Sequence, residues 1–147
     1  MEQVRLLLGL DIGGTKCAAL IGDDLGVVHE RREWASNAER GPDAMIGDLV
    51  RHARDLMDAH RGVAACGVSV GGPMNAETGV ILSPPNLPGW DEIPLRDRLS
   101  QTLRLPVRVE HDAAACVLAE HCWGAARGAS PAASTSSVSP VAVQRSR

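Results

Sequence analysis

The sequence predicts an α/β domain, and three observations carry that reading. Apolar runs of strand length recur at 4–11, 16–22, 63–70 and 107–110. Between them lie segments with apolar residues at helical spacing, best formed by Met45, Ile46, Leu49, Val50, Ala53, Leu56 and Met57. The 147 residues are 44% hydrophobic and 22% charged, enough for one packed core. With three Trp and neither Phe nor Tyr, that core is aliphatic.

The opening reads as a three-strand meander. VRLLLGLD (4–11) is an apolar run ending in a carboxylate, KCAALIG (16–22) is a second run, and VVHERREW (27–34) is a half-exposed third. Gly13-Gly14 makes the first turn and Asp23-Asp24-Leu25-Gly26 the second. Gly41-Pro42-Asp43 starts a helix, since Pro suits the first turn and Asp the positive helix end. Arg51, Arg54, Asp55 and Asp58 form its polar face, and Gly62 ends it.

VAACGVSV (63–70) is a buried strand running into Gly71-Gly72-Pro73. A short strand at 79–82 precedes the Pro-rich loop SPPNLPGW (83–90). Leu95, Leu99 and Leu103 mark a second helix, and Pro106 resets the chain into strand 107–110. His111-Asp112 opens a third helix ending at Gly128. The domain is therefore 1–128. Residues 129–147 are rich in Ser, Ala and Pro, bury too little to offset ordering, and read as a disordered tail. A chain stopping soon after a helix, with no further strand, reads as cut short by truncation or a frameshift.

A net charge of −3 and the lack of a Lys/Arg-rich run argue against a nucleic-acid partner. The apolar run at 6–10 is too short for a signal peptide and is broken by Asp11. No stretch reaches the length of a membrane span. Cys17, Cys66, Cys116 and Cys122 include no C-x-x-C pair, so they read as buried thiols in a reducing cytoplasm, with no zinc site or disulfide set.

The stretch GLDIGGTKCAALIG (9–22) invites a phosphate reading. It has neither the P-loop spacing nor G-x-G-x-x-G, and the chain after Lys16 is strand-like. A cradle here is thus a hairpin tip and not a helix N-terminus. Gly13 and Gly14 free backbone N–H groups for phosphate oxygens, Thr15 adds a hydroxyl, and Lys16 adds charge. Asp11 can hold Mg²⁺ through water. A plain β-hairpin turn explains the same glycines. Lys16 is the only lysine in a chain that otherwise uses Arg, which favours the cradle.

Asp112 suits a helix N-cap, and equally a general base accepting the proton of an attacking hydroxyl; both can hold at once. Gly71-Gly72-Pro73 and the Pro-rich loop read either as turns or as rigid supports offering glycine backbone and the Asn86 amide to a polyol. Trp90 fits a core position better than a stacking platform. His29, His52 and His60 fall on strand or helix surfaces and read as solvated, His121 lies in the third helix, and His111 adjoins Asp112.

Three motifs in order, LDIGGTK, GVSVGGPMNAETGVILSPPNLPGW and VEHDAAACVLAEHCWGAARG, resemble the ROK family of repressors, open reading frames and sugar kinases, which includes many bacterial glucokinases. The resemblance covers residues 5–128. It implies the first lobe of an actin-like ATPase (ribonuclease H-like) fold, a mixed β-sheet flanked by helices. It implies that Asp11, Gly13, Gly14, Thr15 and Lys16 bind ATP phosphate with Mg²⁺. Asn86 would bind sugar hydroxyls, with Gly71, Gly72 and His111 beside it, and Asp112 would be the catalytic base.

The implied reaction is ATP-dependent phosphorylation of a hexose hydroxyl. Two positions depart from the family pattern: His111-Asp112 replaces Asn-Asp, and Gly71-Gly72-Pro73 replaces Pro-Gly-Pro. The family's second glycine-rich loop, its Glu-x-x-His sugar contact and its Cys-rich zinc site have no match here, so little activity is expected of this chain alone. The alternative is a non-catalytic sugar-binding or regulatory fragment. A ROK regulator carries a helix-turn-helix ahead of the first strand, and the few residues before that strand leave no room for one. A homo-oligomer is compatible with the intact family member.

Overall fold

The computed structural model describes residues 4–111. Its strands and helices run in the order β1 (Leu6–Ile12), β2 (Lys16–Asp23), β3 (Val28–Ala35), α1 (Pro42–Ala59), β4 (Val63–Val70), β5 (Met74–Asn75), β6 (Val80–Ile81), β7 (Ile93–Pro94), α2 (Leu95–Leu103) and β8 (Val107–Glu110). Every element expected over these residues is present, with ends shifted by a residue or two. The short β5 and β7 and the 3₁₀ turn Ala38–Arg40 were not expected, because two- and three-residue elements carry no readable period. The third helix and the tail lie outside the described residues, as do Asp112, Cys116, His121 and Cys122.

The main sheet is mixed, in the order β3-β2-β1-β4-β8. The meander pairs β1 with β2 and β2 with β3 antiparallel. Each later strand returns through a helix and joins parallel, β4 to β1 and β8 to β4. Period-2 alternation puts Leu8, Leu10, Ile12, Cys66, Val68, Val70 and Val109 on one face, where they form a single core with Met45, Leu49, Leu56, Leu95 and Leu99 from the helices. This is the actin-like ATPase arrangement that the motifs imply. No helix among the described residues is long and apolar enough to cross a membrane.

The thiols follow expectation: Cys17 and Cys66 are both buried and unbridged, and burial pushes the Cys66 thiol up to about 12. The histidines depart from it in part: His29 is exposed as expected, His52 and His60 are half-buried, and all three rings have a partner. His29 Nε2 lies 2.7 Å from Asp23, His60 Nε2 lies 2.9 Å from Glu30, and the His52 ring stacks on Trp34 at 3.8 Å. Asp23 at the end of β2 and Glu30 within β3 each stand within reach of a ring, and His52, on α1, lies against Trp34 of β3. Burial, with the charges of Arg51 and Arg32, lowers the His52 pKa, so this ring favours its neutral form.

Asp23 is buried at 3% exposure and anchors the second turn. Its Oδ1 accepts the N–H groups of Leu25 at 2.9 Å and Val27 at 3.0 Å. Burial alone would raise its pKa; the bond to His29 and the two backbone donors outweigh that and bring it below 3.8. The folded state therefore binds this proton less tightly than the unfolded chain. The stability Asp23 contributes is present above its ordinary pKa and is lost as pH falls through the lowered one.

Two outcomes follow from this packing. Leu49→Ala, at a position with no exposure, is expected to cost about 2–5 kcal/mol in urea unfolding. The urea midpoint is expected to fall as pH drops below 3.8, and Asp23→Asn is expected to flatten that slope while lowering stability at neutral pH.

Candidate functional site

The parallel register decides where the loops meet. Ile12 pairs with Val70 and Ser69 with Glu110, so β1, β4 and β8 end side by side. The residues that follow them, Gly13, Gly71 and His111, therefore share one edge of the sheet. Ligands of open α/β sheets bind beyond such carboxyl ends. Asp11 sits at the same end of β1, in register with Ser69, and is exposed on the face opposite Leu10 and Ile12.

The first turn is a three-residue tip, Gly13 to Thr15, between Ile12 at the end of β1 and Lys16 at the start of β2. A Cβ added at Gly13 would stand 2.7 Å from the Lys16 carbonyl oxygen, so only glycine allows so tight a turn. A Cβ added at Gly14 would stand 2.8 Å from both the Cβ and the backbone oxygen of Asn86. The hairpin tip thus rests directly on the Pro-rich loop. Thr15 and Lys16 are exposed. Lys16 Nζ lies 3.6 Å from Glu33, whose pKa is lowered by its bond to Arg31 and by the Lys16 charge. The site lysine thus has an acidic neighbour on β3 to which it is loosely tied.

The loop that carries Asn86 is rigid for identifiable reasons. Leu87 and Trp90 are buried and anchor it, Trp90 with no exposure. The Ser83 N–H donates to the Trp90 carbonyl at 2.9 Å, and the Leu87 N–H to Pro84 at 3.1 Å. The Leu82 N–H donates to the Pro73 carbonyl at 3.0 Å, tying this loop to the Gly71-Gly72-Pro73 turn. Asn86 stays exposed on this support. A Cβ added at Gly72 would overlap the His111 ring, so the second glycine is what makes room for His111.

Asp11, Gly13, Gly14, Thr15, Lys16, Gly71, Gly72, Asn86 and His111 are therefore gathered at one sheet edge, joined by the Gly14–Asn86 and Gly72–His111 contacts. Asp112 lies outside the described residues, next in the chain to His111. Trp90 belongs to the core and offers no stacking face. Ser36 went unread: fully buried, it donates its hydroxyl to the Gly13 carbonyl at 2.6 Å and its N–H to the Thr15 carbonyl at 2.8 Å. A polar residue just past a strand end is common, and its sole sequence signal is that it follows β3.

The family model of the ROK family matches residues 7–133. The chain belongs to the ROK family. A glucokinase of Thermotoga maritima is 32% identical over 124 residues, which are 83% of this chain and 38% of that enzyme. An N-acetylmannosamine kinase of Shigella flexneri is 35% identical over 123 residues, covering 78% of this chain and 38% of that protein. The crystal structure of a Streptomyces griseus ROK glucokinase in complex with glucose and AMPPNP superposes with a TM-score of 0.68 at 30% identity, covering 86% of this chain and 38% of the other. This ROK chain spans about two fifths of the length of the relatives it matches.

The Gly14–Asn86 contact gives a direct test. Gly14→Ala is expected to push the Asn86 loop away from the hairpin, seen as amide shifts in both segments by NMR. Gly47→Ala on exposed α1, where an added Cβ meets nothing within 4 Å, is expected to leave both segments in place.

Proposed function

We propose that this chain supplies one wall of a ROK sugar-kinase site, with the 13–16 hairpin binding the phosphates of ATP and the Asn86 loop binding a hexose. The observation that carries the reading is the packing of Gly14 against Asn86, which sets the glycine tip and the Pro-rich loop side by side. A side chain at Gly13 would strike the Lys16 carbonyl and one at Gly14 would strike Asn86, so the bare glycines let the tip take this shape, and a phosphate would meet backbone alone there. Asp11, exposed at the end of β1, is the carboxylate suited to water-mediated Mg²⁺. The glucokinase and N-acetylmannosamine kinase relatives support a hexose or an acylated hexosamine as the acceptor.

Each residue has a stated part. Gly14 and its neighbours offer N–H groups, and Lys16 offers charge, to the nucleotide's phosphates. The bound nucleotide supplies the phosphoryl group, and Mg²⁺ neutralises its charge. Asn86 and the backbone of Gly71 and Gly72 hydrogen-bond sugar hydroxyls. His111 donates to a hydroxyl in place of the family's Asn, and Asp112 takes the proton of the attacking hydroxyl. Transfer depends on charge stabilisation from both sides of a cleft, so one wall binds better than it turns over.

Calorimetric titration with ATP–Mg²⁺, glucose and N-acetylmannosamine, paired with a coupled kinase assay, tests this. Binding of ATP and of at least one sugar is expected. Turnover is expected far below that of two-lobed ROK kinases and absent in Asp112→Asn. A flat response to ATP and to both sugars at millimolar concentration would sink the reading.

A further inference from the structure

We propose that Ser36 is the positioning residue of the hairpin, aiming its backbone donors at phosphate; this rests on the phosphate reading of that hairpin. Ser36 follows directly on β3 and is fully buried behind the tip. Its hydroxyl has one proton, and at 2.6 Å that proton goes to the Gly13 carbonyl. The Cys17 thiol lies 3.3 Å from the same hydroxyl and 3.9 Å from the same Gly13 carbonyl. The Ser36 N–H meanwhile holds the Thr15 carbonyl at 2.8 Å. Two of the three carbonyls in the tip are thus drawn inward by one residue from the neighbouring strand.

The consequence is geometric. The C=O and N–H of a trans peptide point in opposite directions. Holding the Gly13 carbonyl against Ser36 therefore turns the Gly14 N–H away from the core and out of the tip. Gly13 and Gly14 have no side chain to fix their own dihedrals, and glycine backbones sample many conformations. A glycine tip with no outside anchor would spend little time with its donor outward. Ser36 removes that freedom before any ligand arrives, which is the general benefit of preorganisation. The Cys17 thiol, the Ser36 hydroxyl and the Gly13 carbonyl form one buried or half-buried cluster, in which the 2.6 Å bond from Ser36 is the shortest.

The test uses the full chain, with inorganic triphosphate as the probe and the Gly14 amide followed by NMR. Three proteins are compared: unaltered chain, Ser36→Ala, and Ser100→Ala. The last removes an analogous side-chain bond, to the Leu105 carbonyl at 3.0 Å, far from the hairpin. Ser36→Ala is expected to move the Gly14 amide resonance, speed its hydrogen exchange, and weaken triphosphate binding roughly three- to tenfold, the worth of one neutral hydrogen bond. Ser100→Ala is expected to leave the hairpin and the affinity unchanged while lowering stability comparably. Two results would overturn the proposal: Ser36→Ala retaining the native Gly14 resonance, exchange and affinity, or Ser100→Ala loosening the hairpin equally. If the unaltered chain binds no triphosphate, the phosphate reading falls by itself, and the positioning claim is judged on the Gly14 resonance and exchange alone.

Discussion

The parallel pairing of β1 with β4 is the constraint on which the rest depends. β1 lies between an antiparallel partner, β2, and a parallel one, β4. On one side the chain must therefore turn at once, in a tip of three residues. On the other it must travel through β3 and the 18-residue α1 before returning. The tight turn and the long crossover thus share a strand end. β8 extends the parallel set, so Gly13, Gly71 and His111 leave the sheet at one edge. The register of seven paired positions between β1 and β4 fixes that alignment, because a slip of one residue would turn Leu8, Leu10 and Ile12 off the core.

Close approach at that edge is made by what is missing from side chains. Gly14 meets Asn86, Gly72 meets His111, and Gly13 folds onto the Lys16 carbonyl. In each case a β-carbon would force atoms apart. The two loops reach their positions from opposite supports: the hairpin is tied to β3 through Ser36, and the Pro-rich loop to the core through Leu87 and Trp90. The contact between them is rigid from both directions.

Much of this was legible in the chain. Strand 63–70 was read to the residue, because eight apolar or small residues between two glycine-bearing turns have no helical alternative. Helix α1 was read from its period and its Gly-Pro-Asp start. The hairpin was read as a hairpin because Cys17 to Ile21 is strand-like. His52 and His60 were misread as solvated, and the partner of exposed His29 went unread. A surface position in a linear pattern says nothing about which carboxylate or ring stands opposite, and His29, His52 and His60 each found one across a strand or helix. Ser36 escaped for the same reason: the two tip residues it holds, Gly13 and Thr15, sit more than twenty residues upstream.

The sequence alone determined the element types, the glycine turn and its lone lysine, and the order of three motifs that identifies a ROK chain. These are local properties: period, turn chemistry and residue identity. The tertiary structure alone decided that Asn86 would lie against Gly14, that His111 would lie over Gly72, and that a buried serine would hold the hairpin. Those facts depend on strand register and loop anchoring, which couple residues from 21 to 72 positions apart and leave no period in the chain.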